Sequence, residues 1–165
     1  MATTTPAAIR DRAQTVVEAL TPDSLTADKF RRYRNEGDGD FRAWAETNPT
    51  ACLRRFQIRT TGATETPPVS NFDHEEHQVT LMVTVAYPQT ARFGADQALD
   101  RDDVMDADAF QIDKALGMQG GANFTPATSA DACWISGSPA EIERGEGVDF
   151  VVLTFVFIYQ RTRWP

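Results

Sequence analysis

An α+β domain is predicted, built as a single, mostly antiparallel sheet with two helices packed on one face. Three observations lead there. Two segments repeat apolar residues at helical spacing: Ile9, Ala13, Val16, Val17 and Leu20, then Met105, Ala109, Ile112 and Leu116. Between them, Gln78 to Tyr87 alternates strictly, with Val79, Leu81, Val83 and Val85 on one side and Thr80, Met82, Thr84 and Ala86 on the other. Near the C-terminus, 9 of the 11 residues from Val148 to Ile158 are apolar, mostly β-branched or aromatic, which favours strand over helix.

The first helix is expected from Ala7 to Leu20, with Thr5 as its cap and Pro6 as its first residue. Thr21-Pro22 ends it. Lys29 to Arg34 reads as either a short strand or a helical turn, and Gly37 to Asp40 as a turn. Phe41 to Glu46 fits one or two helical turns that bury Phe41, Trp44 and Ala45. Cys52 to Thr60 is the first strand; arginines on both of its faces suggest an edge or an interface. Thr61 to Asn71, rich in Thr, Gly and Pro, is expected to be a loop. Gln89 to Asp100 connects to the second helix, Asp102 to Leu116. Acids in the first half of that helix complement its dipole, and Gly117 stops it. Gly120 to Asp131 is a further loop. A short strand follows at Cys133 to Ser136, then a turn region from Gly137 to Gly147 with Ile142 in a hairpin arm. The last strand, Val148 to Tyr159, is apolar on both faces, so both must be covered: by helices, or by another subunit. Thr61 to Asn71 and Gly117 to Asp131 are the segments expected to order only on assembly.

Composition bounds what such a domain does. With 165 residues, 41% of them apolar, one domain spanning 1–165 is expected, with its core at about 6–162. A net charge of −8 opposes non-specific nucleic-acid binding, which runs on Lys and Arg neutralising phosphates. Two of the 16 basic residues are lysines, Lys29 and Lys114; the other 14 are arginines. Arginine forms planar bidentate pairs suited to protein interfaces, although a GC-rich coding sequence gives the same bias. Met1 to Arg10 lacks the pattern of a secretory leader, and the longest apolar run, Phe150 to Tyr159, is too short for a membrane helix. Two free, buried thiols in a reducing cytosol are expected for Cys52 and Cys133.

No catalytic pattern emerges. His74 and His77 frame Glu75-Glu76 at a spacing of three, whereas a zinc-protease helix needs His-Glu-x-x-His; in an extended chain the two rings point to opposite faces. A metal-dependent enzyme using His74, His77 and Glu75 or Glu76 is the catalytic alternative. Ser136-Gly137-Ser138-Pro139 is no nucleophile elbow, and neither cysteine has an evident activating base. The glycines of Gly117 to Gly121 are not followed by Lys-Ser/Thr, so no phosphate loop is expected. Seven aspartates lie between Asp96 and Asp113 without the order of a calcium loop. They form a solvated helix face, a surface for a basic partner, or the lining of a channel through which DNA slides without sticking. No enzyme activity, cofactor or metal is expected.

Arginines cluster at Arg31-Arg32-Arg34, at Arg54-Arg55-Arg59 and at Arg161-Arg163. Acids on one edge and arginines on another fit a head-to-tail ring, and also a plain scatter of solvated charge. The candidate interface residues are Arg54, Arg55 and Arg59, then Asp102, Asp103 and Asp106, and on the closing strand Phe155, Phe157 and Tyr159.

The succession of the amphipathic helix Ala7 to Leu20, strands Cys52 to Thr60 and Gln78 to Tyr87, helix Asp102 to Leu116 and the late apolar strand Val148 to Tyr159 resembles the tail terminator, or tail completion, proteins of long-tailed bacteriophages. The likeness runs from about residue 6 to 162. It is one of organisation, with no site residue to carry over, and the Phe30 to Trp44 insertion is longer than that organisation expects. The resemblance implies a virion protein at the head–tail junction, assembled in the host cytoplasm. It would form a homo-oligomeric ring, usually a hexamer, that ends the tail tube and docks on the head connector protein. DNA would pass through the lumen without specific binding, and no membrane would be involved. Another neck or connector protein of the same particle is the nearest alternative.

Overall fold

The computed structural model describes residues 5–34, 40–65, 74–90, 93, 97–117, 133–137 and 139–162. In chain order these form α1 (Pro6–Glu18), β1 (Arg31–Arg32), α2 (Phe41–Thr47), β2 (Arg55–Glu65), β3 (His74–Pro88), α3 (Gln97–Gly117), β4 (Cys133–Gly137), β5 (Glu141–Arg144) and β6 (Val148–Thr162). The strands make one sheet in the order β1-β2-β3-β6-β4, and β5 pairs with β6 beyond β4. Only β1 and β2 run parallel; the other pairings are antiparallel.

The helices start where local chemistry satisfies their free N–H groups. Thr5 caps α1 by accepting from Ala8 N, and Pro6 takes the first position, where no donor is needed. Asp40 caps α2 by accepting from Arg42 N. The two-residue β1 resolves the ambiguity of Lys29 to Arg34 as strand. Its tie to β2 is Arg31 N donating to Arg54 O and Tyr33 N donating to Phe56 O.

Strand periodicity decides which side chains reach the core. From β3, Val79, Leu81, Val83 and Val85 face α1 and α3; from β6, Val151, Leu153, Phe155, Phe157 and Tyr159 do the same. They meet Ile9, Ala13 and Val17 of α1 and Met105, Ala109, Ile112 and Leu116 of α3. The α+β layout with both long helices on one face is therefore present. The short α2 adds a cover on the other face, at one end only: Phe41 and Ala45 pack with Cys52, Ala86, Val148 and Phe150.

This layout corrects three expectations. The apolar closing strand is covered by the chain's own elements on its odd-numbered side, where Phe155, Phe157 and Tyr159 are each at most 1% exposed. They are core residues and cannot form a surface contact. The half-buried side of β6 is instead Thr154, Val156 and Ile158. Second, Thr61 to Glu65 belong to β2, past a register shift between Thr60 and Ala63, and β3 begins at His74. Third, α3 begins at Gln97, inside the segment expected to connect to it. The rest of Thr61 to Asn71, and Gly120 to Asp131, lie outside the described residues. No helix among the described residues is long and apolar enough to cross a membrane.

The turn between β5 and β6 has no spare volume at Gly145. Gly145 N donates to Val148 O, and Gly147 sits at φ 76°, where a side chain is strained. A Cβ on Gly145 would lie 2.6 Å from Val148 O and 2.8 Å from Glu46 Oε1. Gly145→Ala should therefore destabilise the domain by about 2 kcal/mol, lowering the thermal midpoint by roughly 4–8 °C. Differential scanning calorimetry measures it; an unchanged midpoint would mean the turn relaxes freely.

Candidate functional site

Two adjoining depressions lie where α1 meets the β1–β2 edge of the sheet. The larger, about 770 Å³, runs between α1 and the edge and is lined by Arg10, Arg32, Arg34 and Arg59, with Asp11, Tyr33 and Ile58 also lining it. The smaller, about 160 Å³, has Tyr33 and Trp44 as aromatic walls and Arg31, Arg32, Arg34 and Arg55 around it, with Glu18 at one side. Local structure explains the convergence. β1 is only two residues long and projects Arg31 and Arg32 to opposite sides, and β2 brings Arg55 and Arg59 alongside. Tyr33 lies 5.0 Å from Trp44 and 5.1 Å from Phe41 by ring centroids, so α2 holds the aromatic wall in place.

Several of these guanidinium groups are already engaged. Arg32 Nη1 donates to Gln14 Oε1 at 2.6 Å, and Arg10 pairs with its neighbour Asp11. Arg59 approaches Asp40 at 3.9 Å, too far for a firm bond. Arg31, Arg34 and Arg55 make no ion pair among the described residues. A domain of net charge −8 thus keeps a local excess of positive charge at one corner.

The opposite sign lies on α3. Its inner stripe, Val104, Met105, Asp108, Ala109 and Ile112, is buried. Its outer stripe carries Asp103, Asp106 and, between carboxylates, Phe110, which is 65% exposed. α1 lies over β2 while α3 lies over β6 and β4, so the two charged surfaces occupy opposite flanks of the helical layer.

The candidate interface residues therefore separate into groups. Arg55 and Arg59 flank the depressions. Asp103 and Asp106 are exposed on α3, while Asp102 is held by Arg144 Nη2 at 3.1 Å. Arg54 is a correction: it is wholly buried and contacts no surface. Its Nε and Nη2 donate to the two oxygens of Asp108 at 2.6 and 3.0 Å, and its Nη1 donates to Leu25 O and Asp28 O. Tyr87 Oη donates to Asp108 as well, at 2.7 Å. Burial pushes the Asp108 carboxyl up, and the bonds from Arg54 and Tyr87 pull it back. Burial, then the neighbouring carboxylate, raises the Tyr87 hydroxyl well above its usual range, so it remains a donor. Arg161 and Arg163 have no described side chains.

Of the residues weighed for chemistry, His77 and Cys52 have described side chains; those of His74, Glu75, Glu76 and Cys133 lie outside the described residues. His77 is 5% exposed and stacks on Tyr159 at 5.4 Å, on the core side of the sheet. β3 runs unbroken from His74 to Pro88. Among the described residues, no three His, Cys, Asp or Glu are grouped to hold a metal. Cys52 is buried, and burial pushes its thiol up to about 11, so it is protonated and inert at neutral pH.

Sequence reading had not picked out Arg10 or Phe110. Phe110 carried a signal: it falls off the Met105, Ala109, Ile112 and Leu116 stripe, on the side of Asp103 and Asp106. A scan against protein-family models finds no match to the chain, and a search of curated proteins finds none either.

Proposed function

We propose that the chain is a structural subunit of a bacteriophage neck. It forms a head-to-tail ring, probed first as a hexamer, that ends the tail tube and docks on the head connector. One observation carries the reading: arginines and carboxylates lie on opposite flanks of one domain, so each copy offers two different, complementary surfaces. Two unlike surfaces generate a ring when the rotation closes, whereas a two-fold dimer would need one self-complementary patch. The chain order α1, β2, β3, α3, β6 is the order on which the resemblance to tail terminators rests. The buried, paired or protonated state of Arg54, Asp108, Tyr87 and Cys52 fits scaffold duty.

Native mass spectrometry of the full chain at moderate salt, alone and with tail-tube protein, tests the reading. The expected result is a closed ring that dissociates as ionic strength rises, because surface charge pairs are screened. A species that stays monomeric alone and with tail-tube protein would sink it.

A further inference from the structure

We propose that the outer stripe of α3 is a knob, centred on Phe110, that seats in the arginine-rimmed depression of a second copy of this chain. This rests on the ring reading above and names the surfaces that close it. Phe110 is the one exposed aromatic residue among the described residues and projects 65% of its surface into solvent. No partner for its ring appears among the described residues. Asp106 lies one turn before it and Asp103 two turns before, all on one helical face.

The receiving surface has the converse chemistry. Its cavity of about 160 Å³ is walled by Tyr33 and Trp44 and rimmed by Arg31, Arg32, Arg34 and Arg55. A cavity of about 150 Å³ is large enough to take up a benzene ring. A benzyl side chain entering it meets aromatic faces, while the carboxylates beside it meet guanidinium groups at the rim. An aromatic anchor in a pocket, ringed by charge-assisted contacts, is the usual build of an energetic hot spot. Within one chain the two surfaces cannot meet, because α3 lies over β6 and β4 while the cavity is beyond β2, at the β1 edge. A second copy supplies what each surface lacks: carboxylates and an aromatic ring for the arginine-rimmed cavity, and guanidinium groups for α3.

Mixing single-defect variants tests this. Phe110→Ser removes the knob, and Arg34→Glu with Arg55→Glu damages the seat. All three positions are solvent-facing or at a rim, so the variants should melt as the wild type does; Asp106→Arg serves as a second knob variant. Each defective protein alone is expected to lose self-association by about thirtyfold or more in sedimentation velocity. A one-to-one mixture of a knob variant with the seat variant should recover association but stop at two copies, since one intact knob and one intact seat remain. If the wild type assembles and Phe110→Ser and Asp106→Arg assemble equally well, the knob assignment falls while the ring reading stands. If Phe110→Ser still self-associates but no longer binds tail-tube protein, the occupant is that protein and the second-copy proposal is overturned. If the wild type is monomeric alone and with tail-tube protein, both fall.

Discussion

Asp108→Ala should lower the stability of the domain by about 3–5 kcal/mol, because it leaves a guanidinium fully buried without its counter-ion. Against a typical total of about 5–15 kcal/mol this is a large fraction, visible as a markedly lower urea midpoint. Arg54 is 0% exposed and donates four hydrogen bonds: two to Asp108 and two to the carbonyls of Leu25 and Asp28. Its backbone is also committed, donating to Ala86 O and accepting from Arg31 N, at a φ of 54° that strains a non-glycine residue. One side chain thereby ties α3, the segment after α1 and the start of β2. Tyr87→Phe removes one donor and should lose only about 1 kcal/mol. The double variant Arg54→Met with Asp108→Leu should lose less than the sum of its singles, since no charge is stranded. It should not recover fully, because the Leu25 and Asp28 carbonyls stay unpartnered. Equal additivity of the two singles would show that the pair is not coupled.

That network marks the boundary of what the sequence discloses. Periodicity located α1, β3 and α3 because burial of a face writes its period into the residue order, while β6 stood out as an almost unbroken apolar run. Val79, Leu81, Val83 and Val85 could be assigned to the core from alternation alone. Arg54 could not. It sits among Arg55 and Arg59, and nothing local distinguishes an arginine whose partner is 54 positions away from one that faces water. The same holds for Asp149, buried in an apolar strand and bonded by Arg144 and Gln89, with Arg101 Nε 2.9 Å away. Long-range ion pairs carry no period.

The closing strand shows the converse failure. Being apolar on both faces told that both were covered but not by what. One cover is the pair of long helices; another is α2, whose Phe41 sits 6.3 Å from Phe150 in an edge-on arrangement. The Arg-rimmed depression was only partly legible: Arg31, Arg32, Arg34, Arg55 and Arg59 stood out as clusters, while their convergence required β1 to pair parallel with β2.

Phe157→Asp should abolish folding, and Val156→Asp should not. The two residues are adjacent on β6, so any difference between the variants reports the face and not the strand. Phe157 is 0% exposed, sits opposite Val79 and Trp134 in the pairing register, and lies 6.3 Å from the Phe155 ring. Its replacement removes an aromatic side chain, which alone costs about 3–5 kcal/mol, and adds an unpaired buried carboxylate worth several more. Together these reach the whole stability of an ordinary domain. Val156 is half-buried on the side of the sheet that α2 leaves open, where a carboxylate can reach water. Its loss should stay near 1 kcal/mol. Circular dichroism of both purified variants decides the matter. A folded Phe157→Asp beside an unfolded Val156→Asp would invert the two faces of the sheet, and with them the placement of α1 and α3 and the flank on which Phe110 is presented.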